Sequence, residues 1–265
     1  MAETVLSQRD GAVLTLTLNR PDRLNVLDEQ MCQDLAAAGQ AAAADASVRC
    51  VVLEGAGRGF CAGGDIAALS RRFDADADTQ LANYRDFVAD YHAAVAPLQG
   101  MPKPVLASVH GPAAGGGMSL AMACDMIVAA DDAVFSLAYS TLGVSPDGGS
   151  TFSLPRIVGM KKAMELAMMG ERLDAREALD LGLVNWVVPA AERQAEGVRL
   201  AAKLAGRATL ALGRTKALLY ESSRATLAQQ LEAECENFAA STLTEDFKNA
   251  AEAFLAKRTP EYKGR

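Results

Sequence analysis

Imidazole is scarce in this chain. His92 and His110 are its only histidines, so no metal site built on histidine is expected. Aromatic side chains make up 5% of the residues, and there is one tryptophan. The five cysteines, Cys32, Cys50, Cys61, Cys124 and Cys235, form no C-x-x-C pair, and their number is odd. That pattern is not a disulfide framework. Each reads as a small buried apolar residue. With no signal-peptide pattern at the start, a reduced cytoplasmic location is expected. No apolar run reaches the ~18 residues of a membrane span, so no membrane partner is expected. No basic block interrupts a net charge of −7, which makes nucleic acid a poor partner. An anionic small ligand remains open, because it needs only a few local cations.

What is present is apolar, glycine-rich and periodic. Half of the residues are hydrophobic, and a chain of this length buries roughly 70–75% of its unfolded surface. One large α/β domain is the expectation. Residues 4–9 and 13–19 (VLTLTLN) read as a hairpin around Asp10-Gly11. Pro21 breaks the strand, and Asp28 is placed to cap an alanine-rich helix over 29–44. Residues 48–54 and 105–109 are short apolar runs of the kind found in buried parallel strands. Residues 71–80 are polar and are expected to be mobile; a helical pattern follows over 81–98. Strands are expected at 126–130 and 134–137, helices at 154–169 and 175–181, and a strand at 182–188. Strand–helix alternation of this kind implies βαβ units. Beyond residue 190 the pattern is helical throughout, with apolar stripes that suit core or subunit contacts. The division expected is a core over 1–195 and a helical C-terminal region over 196–265.

Two glycine turns stand out. GRGFCAGGD (57–65) and HGPAAGGGMS (110–119) each follow a short strand and run towards a helix. The first is not a dinucleotide fingerprint: its spacing is G-x-G-x-G, and no Walker lysine is present. Taken alone, Gly63-Gly64 is a tight turn. The second removes every Cβ from the approach to a helix N-terminus, which lets a ligand atom touch backbone or lets strand and helix pack closely. An acyl oxyanion needs two converging N–H donors, and two such turns can supply them. Asp147, in SPDGGST, reads either as a helix cap or as a proton carrier.

The segments GFCAGGDI, HGPAAGGGMSLAMACD and SPDGGSTFSLPRIVG resemble the crotonase, or enoyl-CoA hydratase/isomerase, superfamily. The likeness runs from LTLNRPDRLN to AFLAKRTPEYKGR. It implies a ClpP/crotonase-like spiral of ββα units with a helical trimerisation region, as a homotrimer or a dimer of trimers. It implies an acyl-CoA thioester as substrate, with coenzyme A part of that substrate and no separate cofactor. By motif position the thioester oxygen would be held by the N–H groups of Gly64 and Gly116. Arg23, Leu24 and Val26 would lie along CoA. Ala62, Asp65 and Ile66 would border the adenine, and Gly63 would also contact the substrate or its CoA. Phe254 and Lys257 would reach a neighbouring subunit's CoA. Leu142 would line the acyl pocket, and residues 74–79 would shape it.

The superfamily's hydratases use two glutamates, and the matching positions here are Ser119 and Tyr139. Neither replaces a carboxylate pair that activates water and returns a proton. Asp147 instead resembles the single acid of the isomerases, the epoxyphenylacetyl-CoA isomerases in particular. An acyl-CoA isomerase working through an enolate is therefore the leading expectation, with Asp147, Gly64 and Gly116 catalytic and Tyr139 against the substrate. The alternatives are a hydratase using Asp147 and one other group, an aryl-CoA dehalogenase with Asp147 as nucleophile, and a CoA-binding module without catalysis.

Overall fold

The computed structural model describes residues 3–71 and 73–265. Two antiparallel strands open the chain, β1 (Val5–Asp10) and β2 (Val13–Leu18). Helix α1 (Glu29–Ala44) follows, and the Asp28 carboxylate accepts the Met31 N–H as its cap. The chain continues through β3 (Cys50–Gly55), α2 (Ile66–Ser70) and α3 (Ala77–Gly100). Next come β4 (Val105–Val109), β5 (Pro112–Ala114), α4 (Gly116–Met122), β6 (Met126–Ala130) and β7 (Val134–Ser136). Then follow α5 (Ser150–Val158), α6 (Met160–Met169), β8 (Leu173–Asp174), α7 (Ala175–Asp180) and β9 (Trp186–Val188). Four helices finish it: α8 (Arg193–Ala205), α9 (Thr209–Ser222), α10 (Leu227–Thr242) and α11 (Glu245–Leu255).

The larger sheet has the order β1-β2-β3-β4-β6-β9, parallel throughout after the opening hairpin. A smaller sheet joins β5, β7 and β8. The chain alternates between the two sheets, from β4 to β5 and from β6 to β7, and each pass is one turn of a spiral. Strands β5 and β8 were not among the strands expected: β5 lies inside the second glycine turn, and β8 has two residues.

Alternation explains the central strands. In β3, Val51 and Leu53 join the main core, while Cys50 and Val52 face the second cluster with Leu200, Ala201 and Ala205 of α8. Leu106 and Val128 do the same from β4 and β6. Both faces of the strands are therefore apolar, as a covered parallel sheet requires. The division expected after residue 195 falls inside α8, whose apolar face lies on the sheet.

Three expectations change. Helix α3 begins at Ala77, capped by Asp76, so residues 77–80 of the stretch expected to be mobile are helical. The single helix expected over 154–169 is two, divided at Gly159, whose φ of 77° lies outside the helical region. Four of the cysteines are buried, but Cys235 is exposed. The stripes of the last three helices also remain largely outside this chain's core: Leu227, Phe238, Leu243 and Phe254 are exposed.

Ahead of α1, one buried polar residue organises the loop that carries the first glycine turn. Asn25, fully buried, donates from Nδ2 to the carbonyls of Ala56, Gly59 and Phe60 and accepts the Arg20 N–H on Oδ1. Its φ of 54° is one that asparagine tolerates better than most residues. Asn25→Ala strips these carbonyls of their donor inside the core. Urea denaturation should show a loss of about 1–3 kcal/mol for the unmet groups, and a stability equal to wild type would refute this account.

Candidate active site

The two glycine turns meet. Cys61 pairs with Ala113 as an extra rung of the smaller sheet: its N–H donates to Pro112 O at 3.1 Å, and its carbonyl accepts from Ala114 N at 3.0 Å. Side chains would prevent this approach. A Cβ on Gly117 would stand 2.1 Å from Cys61 O, and one on Gly63 would stand 2.8 Å from Ala114 O and 3.4 Å from Gly116 N. Close backbone packing accounts for one position of the glycine run. Gly117 is needed for packing, whereas Gly64 and Gly116 line a cavity.

Neither the Gly64 nor the Gly116 N–H donates to a backbone carbonyl among the described residues. Gly116 is the first residue of α4, so its N–H has no partner within the helix. The peptide on its other side is held by Tyr91, whose buried hydroxyl donates to Gly116 O at 2.6 Å.

The cavity measures about 390 Å³. Leu27, Leu69, Phe87 and Val144 supply apolar wall, and Asp147 is the one carboxylate lining it among the described residues. Asp147 does not cap the following helix. Gly149 occupies the cap position of α5 without a side-chain bond. The Asp147 carboxylate instead accepts the Tyr139 hydroxyl on Oδ1 at 2.6 Å. Tyr139 Oη in turn lies 3.0 Å from Ser119 Oγ. Burial pushes the Asp147 carboxyl above its ordinary range, against the pull of the Tyr139 hydroxyl and of nearby His92. The Tyr139 hydroxyl is itself driven up by burial and by the facing carboxylate, so it stays protonated and acts as a donor. Cys61, between the two turns, has its thiol pushed up to about 12 by burial and offers no thiolate nucleophile.

Of the residues expected at the site, the structure brings Ala62, Gly63, Gly64, Ile66, Gly116, Tyr139, Leu142 and Asp147 to one cavity. Arg23, Leu24, Val26 and Asp65 are not in its wall. Asp65 is buried, pairs with Arg23 through one oxygen and caps α2 at Ala68 N through the other. Leu24 O accepts the Ala62 N–H at 2.9 Å, so this segment braces the turn. Phe254 and Lys257 are exposed and lie outside the cavity of their own chain. Residues 74–79, expected to shape the acyl pocket, do not line it. Tyr84, Phe87, Val88 and Tyr91 of α3 do. Their spacing of three, four and seven was legible as a helical stripe, but nothing in the pattern said that the stripe faced a ligand. Among the described residues no helix is long and apolar enough to cross a membrane, and no group of His, Cys, Asp or Glu could hold a metal ion.

Two free backbone donors beside one carboxylate, in an apolar cavity, are the equipment of an enzyme that stabilises charge on a carbonyl oxygen while a proton moves. Residues 8–265 match the model of the enoyl-CoA hydratase/isomerase family. The chain is 38% identical to the 1,2-epoxyphenylacetyl-CoA isomerase of Escherichia coli K12 and 37% identical to its 2,3-dehydroadipyl-CoA hydratase, covering 100% of both chains in each case. A crystal structure of an enoyl-CoA hydratase from Polaromonas sp. JS666 superposes with a TM-score of 0.92 at 40% identity, over 98% of this chain and 99% of that one. The protein belongs to the enoyl-CoA hydratase/isomerase family, with the crotonase fold.

Gly117→Ala tests the interlock. The added methyl meets backbone, which cannot rotate away. Overpacking should cost about 1–3 kcal/mol and open the cavity. Calorimetry should find a lower Tm, together with weaker acyl-CoA binding; a variant with neither change would contradict the packing described.

Proposed function

We propose that this enzyme is an acyl-CoA isomerase that moves a double bond, or rearranges an enoyl or epoxy acyl group, through an enolate. The observation that carries the reading is the single carboxylate of the cavity. A hydratase of this family places two glutamates where this chain has Ser119 and Tyr139, and here those two hydroxyls lead to Asp147. One acid suffices for isomerisation. In a 3-enoyl thioester, Asp147 removes the C2 proton. The electron pair moves into the carbonyl, and the enolate oxygen accepts the N–H groups of Gly64 and Gly116. The proton is then returned at C4 to leave the 2-enoyl product. A carboxyl with a raised pKa suits both halves of that exchange, since it holds a proton between steps more readily than an ordinary aspartate.

Hydration is the second reading, supported by relatives that carry hydratase names. It requires Asp147 and one of the two hydroxyls to hold a water between them. Coenzyme A is part of the substrate in either case, and no other cofactor enters the scheme. The exposed residues Phe254 and Lys257 fit a homotrimer, alone or paired into a hexamer, in which they meet a neighbouring copy's CoA. A cytoplasmic setting suits this chemistry.

Asp147→Asn should lower isomerisation of a 3-enoyl-CoA by roughly 10²–10⁴-fold while CoA-thioester binding, followed by calorimetry, is retained. In the wild type the rate should fall as pH drops through the raised Asp147 pKa, because the base is lost on protonation. The acid limb should therefore lie above the usual carboxylate range. Wild-type hydration of a 2-enoyl-CoA without any double-bond shift would overturn the isomerase reading.

A further inference from the structure

The two hydroxyls at Ser119 and Tyr139 are more than absent glutamates. Asp147 Oδ1 accepts the Tyr139 hydroxyl, and Oδ2 makes no hydrogen bond to another described residue. An ionised carboxylate only accepts, so the direction is fixed: Tyr139 donates. Its oxygen is then open to accept from Ser119 Oγ, 3.0 Å behind it; Ser119 has one hydroxyl hydrogen, shared between that oxygen and the Gly115 carbonyl at 3.3 Å. Gly115 C=O and Gly116 N–H belong to one peptide unit. A line of contacts therefore runs from the base, through two hydroxyls, to the peptide that carries one of the free N–H groups. Tyr139 and Ser119 are buried, while Asp147 is half-buried at the cavity wall.

We propose that Tyr139 is a positioning residue for the proton transfer, its hydroxyl clamping one oxygen of Asp147 so that the other is presented to the substrate carbon at a set distance from Gly116. This rests on the isomerase reading only for the step that it serves; the clamp itself stands on the hydrogen bonds. Phenylalanine at this position would fill the same space and leave the carboxylate free to turn. The groups that face Asp147 are few. Tyr139 comes from the loop after β7. His92 and Tyr91 come from α3, with His92 Nε2 accepting the Gly148 N–H at 3.2 Å, and Cys32 comes from α1. Only Tyr139 donates a side-chain hydrogen bond to the carboxylate among them.

The test is Tyr139→Phe in the full-length protein, with Ser119→Ala as the second variant. The Asp147 carboxyl is followed directly by carbon NMR of aspartate-labelled protein, its signal assigned by its loss in Asp147→Asn. The ionised form loses a donor in Tyr139→Phe, so the titration midpoint should move to higher pH than in wild type. In Ser119→Ala it should move the same way by less, because Tyr139 then lacks only the group behind it. With a 3-enoyl-CoA at neutral pH, Tyr139→Phe should lower kcat by about 10- to 100-fold at unchanged KM. The acid limb should move with the NMR midpoint. A role in packing alone would leave both midpoint and limb in place, and that result overturns the proposal. Should Tyr139→Phe not fold, Ser119→Ala carries the test with the same sign. A wild type that leaves every 3-enoyl-CoA unchanged, with the midpoint still moving as stated, would sink the isomerase reading and support the clamp.

Discussion

The site depends on one close approach of backbone to backbone. Cys61 and the segment Pro112–Ala114 run side by side as strands, and Gly117 passes so near the Cys61 carbonyl that no side chain fits between them. That contact brings two loops, some fifty residues apart in sequence, to one cavity with Gly64 and Gly116 in its wall. A backbone donor is a good choice for an oxyanion. It has no rotamers to lose, and its direction is set by the fold before substrate arrives. The cost is carried by the glycines, which give up conformational freedom that few other residues possess.

Around that contact the polar groups are assigned with little slack. Asn25 ties the entry to the first turn. Arg23 and Asp65 tie its exit, and Asp65 also starts α2. Tyr91 holds the peptide after the second turn through Gly116 O. The same tyrosine requires a glycine at 148, where a Cβ would fall 2.5 Å from its ring and hydroxyl. One residue of α3 thus sets the distance between the second glycine turn and the loop that carries Asp147. The electrostatics follow from the same packing: a carboxylate with apolar neighbours and one hydroxyl donor is more basic than one in water.

The spiral explains why the functional groups lie far apart in sequence yet share a cavity. The chain crosses from the larger sheet to the smaller at β4 to β5 and at β6 to β7, and Gly64, Gly116 and Asp147 come to one cavity from segments far apart in the chain. The C-terminal helices add nothing to the cavity wall of their own chain. They carry exposed apolar residues, among them Leu227, Phe238 and Phe254.

Several parts of this arrangement were determined by the sequence alone. The hairpin, the Asp28 cap of α1 and the central strands follow from local rules: alternation, a capping oxygen, and proline or glycine at the breaks. The family's motifs marked Gly64, Gly116 and Asp147, and the absence of both hydratase glutamates was legible at Ser119 and Tyr139. Tertiary structure decided the rest, because the deciding contacts join residues whose spacing carries no signal. The stripe of Tyr84, Phe87, Val88 and Tyr91 faces a cavity only because α3 packs beside both glycine turns. Gly117 is a packing residue and Gly116 a free donor, though they are neighbours in one run of identical residues. Asp147 reads locally as a helix cap. It is a base candidate because the helix starts later, at Ser150, and because Tyr139, eight residues upstream, turns its hydroxyl onto the carboxylate.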